Sequence, residues 1–401
     1  MIKLYIRRVK KLLISIISEI DFNIALLFSS FNKSKSKQRC ALVMPAGSIN
    51  GGFGEDIMVA ALLQTIECPV TIIAPVIEGR RYYNRETLFV EYGKSKFLCL
   101  KIAKIFRHFT DYYVIGADIM DGLYDDNNLR FKTLTIAKKM RVRPHITGFS
   151  VREQTPDTFK KALKKIAPTV TIMGRDVESC KRMSLILNKS VVETTDIAFL
   201  CDTPSLVDDD TQIKEWIFNE RKQGRTISAF CPNTIQAASI GLSTYLNFVK
   251  ELIDEFMSNN ISVLFLYHDL RKQCGELNDK DLSNMLSQEF NGHKLFVDNI
   301  PDGYTLKPFI GLADFTITGR MHFGISGYTL GLPMYGISYY GKFEGLQSLF
   351  GIDPKLSLVD YKSNKVDKHQ IKDFLNMIPI YRTSINLKIS TVKEKALLNL
   401  K

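Results

Sequence analysis

The chain contains no CxxC pair. Its seven cysteines (Cys40, Cys68, Cys99, Cys180, Cys201, Cys231, Cys274) are an odd number, and most sit in apolar runs. That usage points to reduced, buried thiols in a cytosolic protein and argues against a zinc site. An uninterrupted membrane-spanning stretch is also missing. A span takes about 20 apolar residues, and the run that begins at Leu12 is broken by Glu19, Asp21 and Asn23. No small-x-small cleavage site follows it, so a signal peptide is not expected. A regular basic–aromatic weave is absent, which excludes the usual nucleic-acid readers. No internal repeat is found. Gly (24) and Pro (13) are too few among 401 residues, with 24% charged, for a disordered chain.

What is present fits an ordinary globular protein of two domains. The net charge of +12 is uneven. Residues 1–40 hold nine Lys/Arg against two acids, or +7 of the total. A basic end suggests an anionic surface as partner. The same end reads as an amphipathic helix, with Leu12, Leu13, Ile16, Ile17 and Ile20 on one face. Two expectations follow for residues 1–38: lying on an anionic bilayer, or packing against the body of the protein.

After a polar, basic linker (Asn32–Gln38), short apolar runs alternate with helical stretches. Runs such as Ala41–Met44, Val70–Ala74, Tyr112–Ile115, Ile146–Ser150, Val263–Tyr267, Phe315–Thr318 and Pro333–Ile337 read as buried strands. Thr169–Met173, Thr226–Phe230 and Lys294–Val297 extend the series. This alternation predicts an α/β protein with parallel sheets. A Pro- and Asp-rich break at 202–210 divides it. The expected organisation is a basic N-terminal segment (1–38), a Rossmann-like domain (39–203), a second one (204–375) and a helical tail (376–401). Two such domains facing a cleft place strand carboxyl ends, and any site, at the cleft.

Candidate site residues cluster at those strand ends. Gly319-Arg320-Met321-His322 follows the run Ala313–Thr318 and opens a small-residue helix. A strand that feeds Arg and His into a helix N-terminus makes an anion site beside a titratable group. Lys342 stands beyond the next strand. Arg175, in Met173-Gly174-Arg175-Asp176, is suited to fork onto a carboxylate or phosphate, or to pair structurally with an Asp. Pro45–Asp56 is a glycine-bearing strand-to-helix turn that matches GxGxxG poorly. Glu55 and Asp56 there would repel a phosphate, so with Gly52 they suit a sugar acceptor or simple helix capping. Asp118 and Asp121 end another strand and suit sugar hydroxyls, a base role or capping. His268-Asp269, after Val263–Tyr267, is a weaker signal of the same kind.

Taken together, Arg175, His322 and Lys342 give the chain a resemblance to the polysaccharide pyruvyl transferase family. The carrying segments are Thr318–His322, Gly331–Tyr339 with Lys342 and Gly345, Gly174–Ser179, and Asp196-Ile197-Ala198-Phe199. The resemblance spans about 41–352. Two loops depart from it: the family's Gly-Asn-x-Gly-Asp-Glu stands here as Gly51-Gly52-Phe53-Gly54-Glu55-Asp56, and its Gly-rich second loop is thinned to Gly116-Ala117-Asp118.

The resemblance implies two Rossmann-like domains of GT-B type. It implies phosphoenolpyruvate as co-substrate, no other cofactor and no metal. The product would be a pyruvate ketal on a sugar or lipid-linked oligosaccharide. His322 would be the acid, with Arg175, Arg320, Lys342 and Gly319 on the donor side. The acceptor side is not carried over from the family, because both departing loops lie there; on their own chemistry Gly52, Glu55, Asp56, Asp118 and Asp121 would form it. The expected place is the cytoplasm, peripheral to the inner face of the membrane. The competing expectation is a GT-B glycosyltransferase with a nucleotide-sugar donor. A third is a non-catalytic membrane-surface member of the same fold.

Overall fold

The computed structural model describes residues 2–36, 38–46, 51–75, 88–93, 97–117, 128–206, 211–338 and 342–401, without the side chains of 2–8, 10, 11 and 342. The first half runs α1 (Ile2–Phe31), β1 (Ala41–Met44), α2 (Phe53–Thr65), β2 (Val70–Ala74), β3 (Leu88–Glu91), α3 (Leu98–Ile105) and β4 (Asp111–Val114). It continues with α4 (Leu129–Lys139), β5 (Arg143–Ile146), α5 (Asp157–Ile166), β6 (Met173–Gly174), α6 (Val177–Leu187) and β7 (Val192–Glu193). The second half runs α7 (Thr211–Lys222), β8 (Thr226–Cys231), α8 (Thr234–Ile240), α9 (Leu242–Ser258), β9 (Ile261–Phe265), α10 (Asp279–Gln288), β10 (Lys294–Phe296) and α11 (Gly303–Ile310). Then come β11 (Phe315–Thr318), α12 (Met321–Thr329), β12 (Met334–Ser338), α13 (Lys342–Phe350), α14 (Pro354–Ser357), β13 (Leu358–Asp360) and α15 (Lys368–Leu397).

Each half is built on a parallel sheet, ordered β3-β2-β1-β4-β5 in the first and β10-β9-β8-β11-β12-β13 in the second. The central strands are buried on both faces, which is why they read as continuous apolar runs. β1, β2 and β11 match the expected bounds residue for residue. β3, β7 and β13 were not expected. They are short, lie at sheet edges or in the two-stranded β6-β7 pair, and β3 leaves Leu88 70% exposed. Such strands lack the apolar run that announces a central one. The strand expected over 146–150 instead ends at Ile146, and Phe149 makes single bridges to Ala117 and Gly174. Pro144 is tolerated in β5 because β5 is an edge.

In each sheet the chain order reverses between two neighbouring strands, β1 and β4 in one half and β8 and β11 in the other. In open α/β sheets ligands bind beyond the carboxyl ends at such a switch point. α15 joins the halves. It starts on the second sheet and crosses the boundary expected at 375/376. Its end docks on the first half, where Thr195 donates to the Val392 carbonyl and Asn399 accepts from the Gly148 N–H at 2.6 Å.

Over its described side chains, the N-terminal helix α1 packs through one face. Asp21 accepts from the Cys99 and Leu100 N–H groups at the start of α3, at 2.7 and 3.1 Å. Phe22 and Ala25 enter the core beside it. Leu12, Leu13, Ile16 and Ile20 face out, and Ile17 is half-buried.

Candidate functional site

β11 is buried along its length and ends in Gly319. A side chain at 319 would lie 2.5 Å from the Gln236 amide oxygen and 2.9 Å from the Asn233 Cβ, so only glycine passes there. Asn233 donates to the Gly319 carbonyl at 2.7 Å. The turn delivers Arg320 at the N-cap position and His322 into the first turn of α12.

His322 meets the first half at Asp196. Its Nε2 lies 3.3 Å from Asp196 Oδ2, an ion-pair distance, though off the line of a good hydrogen bond. The same carboxylate oxygen accepts from Arg175 Nη1 at 2.8 Å. Arg175 Nε donates to Ser150 Oγ at 3.1 Å. Asp196 also caps the short 3-10 turn Ile197–Leu200, accepting from the Ala198 N–H. Burial alone would raise its pKa. His322 and Arg175 overcome that and hold the carboxyl well below the usual range. One buried carboxylate thus orients both a histidine and an arginine.

The opposite edge of the His322 ring faces α2. A Cβ built on Gly54 would fall 2.5 Å from Nδ1. With Nε2 turned onto Asp196, Nδ1 is the nitrogen beside the space that Gly54 leaves. His268, beyond β9, stacks parallel to His322 at 6.4 Å between centroids. It is buried, and its Nε2 has no hydrogen-bond partner among the described residues. Burial, then the nearby His322, Arg320 and Arg271, push its pKa well down, so it stays neutral near pH 7.

Arg320 is held by a fork onto Asp279, from Nε and Nη2, both at 2.7 Å. Nη2 also reaches Gln273 at 2.7 Å, and Nη1 lies 3.6 Å from Asp269. Next to it, Arg271 forks onto Asp269 at 2.9 and 2.7 Å and reaches Glu55 at 2.7 Å. The two loops also pair through their backbones: Phe53 N–H donates to the His268 carbonyl and Leu270 N–H to the Gly51 carbonyl. Gly51 takes a φ of 106°, the left-handed region that favours glycine. A Cβ on Gly52 would fall 2.7 Å from Arg271 Nη2, so a side chain there would push the guanidinium aside.

The structure therefore brings Arg175 and His322 together from opposite halves and sets Arg320 and Gly319 beside them. Glu55 is bound to Arg271. Asp56 is buried and accepts from the Gly303 N–H at 3.4 Å. Lys342 opens α13, and its side chain lies outside the described residues, as do Asp118 and Asp121 altogether. Sequence reasoning missed Asp196, Gly54 and Arg271 as members of the site and gave His268 little weight.

Comparison with solved structures shows the fold at low sequence identity. UDP-GlcNAc 2-epimerase from Neisseria meningitidis aligns with a TM-score of 0.54 and 12% identity, over 90% of this chain and 98% of that one. The 2-epimerase from Methanocaldococcus jannaschii gives 0.51 and 11%, over 85% and 92%. The wall teichoic acid polymerase TagF gives 0.51 and 10%, over 98% and 95%. These likenesses support two Rossmann-like halves of GT-B type. No curated protein sequence matches. The family model for polysaccharide pyruvyl transferase matches residues 53–340.

Proposed function

We propose that this chain, which belongs to the polysaccharide pyruvyl transferase family, forms a pyruvate ketal on a sugar of a cell-surface polysaccharide or its lipid-linked precursor. Phosphoenolpyruvate is the donor and phosphate is released. The observation that carries the reading is the single carboxylate of Asp196, shared by Arg175 from the end of β6 and His322 from beyond the carboxyl end of β11.

Ketal formation adds two hydroxyls to the central carbon of the enol. The terminal methylene gains a proton and becomes methyl, one hydroxyl adds, and the second displaces phosphate. One hydroxyl proton balances the new C–H bond and the other leaves with phosphate. His322 protonates the methylene from Nδ1, while Asp196 steadies the positive ring through Nε2. Arg175, Arg320 and Lys342 offset the donor's negative charge. Because Arg320 is already forked on Asp279, its part is charge more than a new fork. The acceptor side of the proposal is the loop of Gly52, Glu55 and Asp56, with Asp118 or Asp121 taking a hydroxyl proton.

The acceptor is placed at the inner face of the membrane, within reach of the basic residues 1–38. The competing reading, a glycosyltransferase with a nucleotide-sugar donor, is compatible with the GT-B-type fold shared with the 2-epimerases and TagF. Mass spectrometry of candidate lipid-linked glycans, incubated with protein and each donor, decides between them. A gain of one pyruvate less water, dependent on phosphoenolpyruvate, is expected. A hexose-sized gain from a nucleotide sugar overturns the proposal.

A further inference from the structure

The docked face of α1 leaves its other face unpartnered. At about 100° per residue, Leu12, Ile16, Ile20, Ile24, Leu27 and Phe31 fall within an arc of about 120°. All six are exposed, Leu12 and Leu27 at 62% and Phe31 at 81%. Only Asn23 and Ser30 bring polar groups into that sector. From Val9 to Phe31 the stripe is about 33 Å long at 1.5 Å per residue. Contiguous apolar surface of this extent marks an interaction site.

The helix is apolar and long enough over Leu12–Phe31 to cross a bilayer, yet its other side is committed. Asp21 caps α3 and Phe22 lies in the core. Crossing would strip that cap and carry Asp21 and Glu19 into hydrocarbon. Lying in the plane of the surface keeps both in place.

Beside the stripe, between α1, α4 and α5, is a groove of about 420 Å³ lined by Ser15, Glu19, Phe22, Lys132, Lys161 and Lys165 among others. Glu19, its one acid, is paired with Lys132 at 2.7 Å. Lys161 and Lys165 are exposed, and Lys165 sits 5.0 Å from the centre of the Phe22 ring. An apolar stripe edged by lysines, in a segment that carries +7, matches an anionic lipid surface better than a second copy of the same basic helix.

We propose that α1 docks the protein in-plane on an anionic phospholipid bilayer. The stripe enters the acyl boundary, and Lys161 and Lys165 meet lipid phosphates. The proposal deepens the placement of the acceptor given above, but vesicle binding without donor tests it alone, so the two readings fail separately.

The test is sedimentation of the full chain with vesicles of phosphatidylglycerol in phosphatidylcholine, and of phosphatidylcholine alone. Binding should need the anionic lipid. Replacing Lys161 and Lys165 by Ala should weaken it about five-fold for each lysine. The exposed triple variant Leu12→Ser, Ile16→Ser, Leu27→Ser should lose binding by more than about ten-fold while its thermal melt is unchanged. Undiminished binding by the triple variant overturns the proposal. So does an oligomer of the parent chain that the triple variant dissolves with no vesicle binding by either, which would make the occupant a second copy.

Discussion

Replacing Gly54 by Ala tests whether the edge of His322 that faces α2 is the working one. The new Cβ would stand 2.5 Å from Nδ1, 2.8 Å from Cγ and 3.1 Å from Cβ of His322. No ordinary contact is that short, and the ring has to move by roughly an ångström to relieve it. Gly54 lies in the first turn of α2 with no positive φ, so the backbone accepts alanine. Helix propensity then favours the variant by about 0.5–1 kcal/mol. Local helix stability and catalysis should therefore part company. A misplacement of about 1 Å in a reacting group costs on the order of 100-fold in rate. Phosphate release from phosphoenolpyruvate should fall by about that factor, with the melting temperature held to within a few degrees. In a His322→Ala background, Gly54→Ala should show only its gain in helix stability by thermal melt, because the clash has no ring to displace. Full turnover by Gly54→Ala would refute the assignment of Nδ1. A large fall in melting temperature with the kcat of the folded fraction intact would also refute it, because strain would then have gone into the fold.

Two further outcomes follow from the Asp196 network. Asp196→Asn keeps the shape and removes the charge shared by Arg175 and His322, so turnover and stability should both fall. Its folded pKa is depressed, so its contribution is fully present above the ordinary carboxyl pKa of about 4 and is lost as pH falls towards the folded value. Melting curves of the parent should lose stability on acidification below that point, and those of Asp196→Asn should lose less. A parallel acid limb in both proteins would contradict the charge assignment. His322→Ala and Arg175→Ala should both abolish phosphate release but differ in stability. Removing Arg175 strips a buried carboxylate of its guanidinium and costs about 3–5 kcal/mol, whereas removing His322 leaves the 2.8 Å Arg175–Asp196 pair in place and costs less. Denaturant melts of the pair check this.

Much of the fold was legible because parallel strands buried on both faces are runs of apolar residues, as in Val70–Ala74 and Phe315–Thr318. Edge strands such as Leu88–Glu91 carry no such run. In the site, Arg175 and His322 stood out because a cation at a strand end is chemically conspicuous. Asp196 did not, since an Asp before Ile-Ala-Phe reads equally well as a cap, and it is one. Gly54 was hidden for another reason: the ring it makes room for comes from 268 positions further along the chain. Glu55 read as an acceptor ligand or a cap. Its partner Arg271 lies in the other half, beyond the reach of local pattern.

The crossing of α15 governs when the site comes into being. Asn399 holds the Gly148 N–H across 251 positions of sequence. It also donates to the carbonyl of Thr195, the residue before Asp196. As the chain leaves the ribosome, strands of the first sheet can pair long before this clasp exists. The backbone next to the carboxylate that orients His322 gains this clasp only when Asn399 arrives, so full activity should appear after secondary structure does. A nascent chain stalled short of Asn399 should carry both sheets while the segment bearing Asp196 lacks its clasp. Contacts of such long range form late and slowly.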